Sequence, residues 1–106
     1  MTGDELIRSV DRLVEQVSHW TSSRWAASSG VGGTRAEAGH AFAQRLADLE
    51  AAVTGRPERP VPRLDNDLVL PDQVRVTARD LLAARAPQPV LAAALDAVAD
   101  TRRALS

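Results

Sequence analysis

The chain has 106 residues and no cysteine, so disulfides, thiolate catalysis and zinc–thiolate sites are excluded. Its formal net charge is −1, with acids and bases interleaved, and this argues against a general nucleic-acid binder. All 13 basic residues are Arg, which fits a high-GC coding bias and lowers the functional weight of any single Arg.

The first predicted helix opens at Thr2-Gly3-Asp4-Glu5, a capping-box pattern whose acids suit the positive end of the helix dipole. Leu6, Val10, Leu13, Val17 and Trp20 then step by four, three, four and three, with Ile7 and Val14 beside the seam. Trp20 completes the stripe and is expected in the core. Thr21, Ser22 and Ser23 break the helix, and residues 28–33 have a flexible-loop composition. Trp25 stands outside the periodicity. It is either a lid over the open end of a bundle or an exposed anchor for a partner.

Thr34-Arg35-Ala36-Glu37 repeats the capping-box pattern. The second predicted helix carries Ala38, Phe42, Leu46, Leu49 and Val53 on one face and stops at Gly55. Residues 56–63, "RPERPVPR", contain three prolines within six positions and predict an extended connector, either a plain stiff linker or a docking segment. A short turn is expected within residues 64–70. Pro71 suits a first helical position, and Val74, Ala78, Leu81 and Leu82 carry a third helix to about Ala84. After "APQP" a last helix starts near Pro89, with Leu91, Ala94, Leu95, Val98 and Leu105 on one face and Arg102 falling within that stripe. The fold expected is an all-α, antiparallel four-helix bundle forming one domain over residues 1–106.

Two spacings resemble metal-ligand pairs, Glu15 with His19 and Glu37 with His40. At about 100° per residue both histidines point away from the apolar seams, whereas a bundle-core site needs its ligands facing inward. No metal, cofactor or catalytic residue is expected. Arg75 and Arg79 lie one turn apart as on a recognition helix, but Asp72 and Asp80 sit among them, so a charge-mixed solvated face is the preferred reading. The loop "GVGGTR" lacks the Gly-Lys-Ser/Thr ending of a phosphate loop. Its helix start still offers backbone N–H groups to an anion, with Gly32, Gly33, Arg35 and Trp25 as the candidate ligand-binding residues.

Val69, Val76 and Ala83 form a second stripe at seven-residue spacing, almost opposite Val74 and Leu81. A helix apolar on two sides is either sandwiched in its own domain or pressed on another chain. The function expected is therefore a non-catalytic protein–protein interaction module, with Trp25, Val69 and Val76 at the partner surface and a homodimer as one form of it. The alternative is a small-ligand or anion-binding domain at the glycine-rich loop. No apolar run reaches signal or membrane-span length, so a cytoplasmic protein without membrane association is expected.

Overall fold

The computed structural model describes residues 3–106. The capping role expected of Thr2 lies outside the described residues. Five α-helices follow in order: α1 (Gly3–Val17), α2 (Ser22–Ala26), α3 (Arg35–Thr54), α4 (Leu70–Ala83) and α5 (Gln88–Leu105). A one-turn 3-10 segment, Asp67–Val69, leads directly into α4. Among the described residues there is no strand; one isolated bridge joins Ser28 to Thr34.

The expected count of four helices is corrected to five. The Thr21–Ser23 run that ends the first helix also starts a new one. Thr21 is extended and its side-chain oxygen accepts the Arg24 N–H, which makes it the N-cap of α2. Helix α1 consequently stops at Val17, and Trp20 reaches the core through a turn in which its N–H donates to the Val17 carbonyl.

The longer helices form where the seams lie. Leu6, Val10, Leu13, Val14 and Val17 of α1 are all buried. Helix α3 has both halves of the capping box between Thr34 and Glu37, and it ends at Gly55 with φ +73°, a left-handed cap. Pro71 sits in the first turn of α4 and Pro89 in that of α5, where the missing N–H has no intrahelical acceptor to lose. Helix α1 packs on α4 and α5, and α3 packs on the same two helices from its own side. Val10, Ala43, Leu46, Ala78, Leu81 and Ala94 fill the space between them, each excluded from solvent.

Arg102, which falls within the apolar stripe of the last helix, is exposed, and its neighbour Thr101 is buried instead. The Thr101 hydroxyl donates to the Ala97 carbonyl 2.7 Å away, so a polar side chain is accommodated there by bonding its own helix.

Candidate interaction surface

Each part of the chain singled out by sequence now has a position. Trp25 is 2% exposed, so the exposed-anchor reading is corrected and the lid reading holds. Helix α2 lays the indole across α3 at Gly39, where an added Cβ would lie 3.2 Å from Cζ3 of the ring. The Trp20 ring meets it edge-on, with centroids 4.9 Å apart and planes inclined by 62°. The guanidinium groups of Arg24 and Arg35 lie over the Trp20 ring, at 4.7 and 5.3 Å from its centroid. Neither indole N–H has a hydrogen-bond partner among the described residues.

The glycine-rich loop is tied by hydrogen bonds. Ser29 N–H donates to the Gly33 carbonyl, the Ser29 hydroxyl donates to the Gly32 carbonyl, and Gly30 N–H reaches the Ala104 carbonyl of α5. Gly32 and Gly33 both have positive φ, which these turns require. The groups expected to hold an anion have other partners. Glu37 Oε1 accepts the Thr34 N–H at 3.0 Å, so a carboxylate already sits at the N-terminus of α3. The Thr34 backbone N–H first, and the Thr34 side chain second, hold the Glu37 carboxyl below its usual value. Arg35 is stacked on Trp20, and Trp25 faces the interior.

His19 is exposed at the end of α1. His40 is half-buried and points away from Phe42, but it is not simply solvated: its Nε2 lies 2.8 Å from the Val61 carbonyl oxygen, and the Nε2–H tautomer donates to it. Among the described residues no group of three or more His, Asp or Glu side chains is placed to hold a metal ion. No helix among them is long and apolar enough to cross a membrane.

The connector is where sequence reasoning missed the most. An extended proline-rich strand has no internal hydrogen bonds, so its peptide groups need partners from elsewhere. Gln44 on α3 supplies two: Oε1 accepts the Val61 N–H at 2.7 Å and Nε2 donates to the Arg59 carbonyl at 3.0 Å. The same Nε2 also donates to Asp48. Gln73 on α4 donates to the Pro62 carbonyl at 2.9 Å. With His40, these side chains pin residues 59–62 across α3 and α4 as a strap. The only sequence signal was the need of the connector backbone for donors and acceptors; nothing in the spacing pointed to Gln44 or Gln73.

The strap and α4 together bound an open groove. Pro60, Val61 and Pro62 form one side; Val69 and Val76 of the second apolar stripe form the other, with Asp72 and Gln73 between them. Val74 and Leu81, on the opposite side of α4, are buried in the core. The second stripe is thus not sandwiched within the chain: Val76 is 57% exposed and Ala83 is exposed too. Of the three residues expected at a partner surface, Val69 and Val76 share this groove and Trp25 is absent from it. Comparisons with protein-family models, with curated proteins and with solved structures find no match to the chain.

Proposed function

We propose that the chain is a helical protein–protein interaction module that docks a partner on the exposed side of α4 and the proline-rich strap, and that it has no catalytic activity of its own. The observation that supports this reading most is the exposure of Val76 on an apolar groove whose other wall is pinned in place. Val76 does not stand alone: with Val69 and Pro60, Val61 and Pro62 it borders one apolar groove, and contiguous exposed apolar surface of this kind marks interaction sites. The wall opposite it is pre-ordered by Gln44, His40 and Gln73. Ordering a partner surface before binding reduces the entropy lost on association.

The reading is tested in the cells that make the protein, by following the elution of the chain from a sizing column. The wild type is expected in a species larger than its own 11.3 kDa. Val76→Asp, which places a charge in the groove, is expected to elute as the lone chain, while Arg12→Asp on exposed α1 elutes as wild type. Identical elution of all three as the lone chain contradicts the proposal.

A further inference from the structure

The exposed face of α4 has an internal symmetry. At about 100° per residue and 1.5 Å rise, Asp72 lies about 40° to one side of Val76 and about 6 Å before it along the axis. Arg79 lies about 60° to the same side and about 4.5 Å after it. Val69 and Ala83 lie close to the line of Val76, one before and one after at equal distance. Asp72 and Arg79 are both exposed, and neither has an ion-pair partner within its own chain among the described residues.

A two-fold axis beside Val76 and perpendicular to the helix relates this face to its own complement. Under that operation two α4 helices run antiparallel, and each side chain moves to the opposite height on the same flank. Val76 then faces its own copy. Asp72 comes opposite the copy of Arg79, and Arg79 opposite the copy of Asp72. Val69 comes opposite Ala83, a larger residue against a smaller one. Asp80 lies on the other flank, so its image avoids Asp72 and faces the Gln73 side, where Arg59 borders the groove. Arg75 lies near the axis height on the Asp72 flank but is turned about 100° from Val76, back from the contact. Its copy is the one like charge it approaches, and no like-charge pair is forced at the seam itself. A face that meets itself in this way is the defining property of an isologous interface.

We infer that the partner is a second copy of this chain, joined through antiparallel α4 helices with Val76 at the two-fold and two reciprocal Asp72–Arg79 ion pairs on one flank. This rests on the reading of the α4 face as a docking surface. Charge complementarity selects the occupant: an unrelated partner gives no reason for Asp72 and Arg79 to be placed symmetrically about Val76.

The test is sedimentation of the purified full chain across a concentration series reaching about 100 μM, where a contact of micromolar affinity is populated. The wild type is expected to approach the mass of two chains. Asp72→Arg brings two Arg pairs together, and Arg79→Asp brings two Asp pairs together, so each single substitution is expected to weaken the dimer about tenfold or more. The double substitution Asp72→Arg with Arg79→Asp restores opposite charges and is expected to return the dissociation constant to within about threefold of wild type. Circular dichroism reports whether each variant keeps its helices. A dimer indifferent to all three variants is built elsewhere and overturns the inference. A wild type that stays monomeric in purified form also overturns it; if Val76→Asp still releases the chain from a larger species in cells, the docking reading survives with a different partner, and if it does not, both fall.

Discussion

Trp25 lies across Gly39, with the edge of its indole where a side chain on that residue would begin. The absence of a Cβ on α3 is what lets a one-turn helix close over the core. Gly39→Val forces the ring to move, because a branched side chain cannot fit beside Cζ3. The expected cost is about 1–3 kcal/mol, the range for overpacking a filled site. Tryptophan emission is expected to shift to the red as Trp25 gains water. Urea melts followed by fluorescence check both.

Helix α1 contributes a continuous buried seam to the core. Leu13 is 2% exposed, and Leu13→Ala is expected to cost about 2–5 kcal/mol through lost transfer energy plus a cavity. Glu15→Ala, on the exposed side of the same helix, is expected to change stability by less than about 0.5 kcal/mol. Equal shifts in the two urea midpoints contradict the assignment of the buried face.

The strap depends on Gln44 more than on any other side chain, since Gln44 meets it at both Arg59 and Val61. Gln44→Ala leaves the half-buried Val61 N–H unpaired, with an expected cost of about 1–3 kcal/mol. Hydrogen exchange localises the effect: the Val61 amide loses protection while the amides of α1 keep theirs. Uniform loss along the chain contradicts the strap as a locally pinned element.

Glu37 gives a pH signature. Its carboxyl is held below its usual value by the Thr34 hydrogen bonds, so the folded state favours the ionised form. That contribution to stability is fully present above the ordinary carboxyl range and is lost as pH falls through the lowered folded value. Glu37→Gln keeps a neutral acceptor at the cap. The gap in urea midpoint between wild type and Glu37→Gln is expected to be largest near neutral pH and to close in acid. A gap independent of pH contradicts the role given to the ionised carboxylate.

Local chemistry was readable from sequence and long-range polar chemistry was not. Thr34, Glu37 and Gly55 act within one helical turn, so the limits of α3 followed directly from them. Helix α2 was missed because a single turn is too short for periodicity, and its one apolar anchor, Trp25, packs against residues distant in sequence. For the same reason the sequence leaves Trp25 ambiguous between lid and anchor. The Val69–Val76–Ala83 stripe was visible at seven-residue spacing, but whether the chain covers it depends on where the strap runs. That path is decided by Gln44, His40 and Gln73, polar residues without any local pattern.

On the proposed reading, the side of α4 bearing Val76 meets another protein surface. The most direct measurement replaces Val76 with a photo-activated crosslinking residue and irradiates the cells that make the protein, with Arg12 on α1 as the control position. One discrete adduct is expected from position 76 and none from position 12. No adduct at position 76, or the same diffuse labelling from both positions, contradicts that reading.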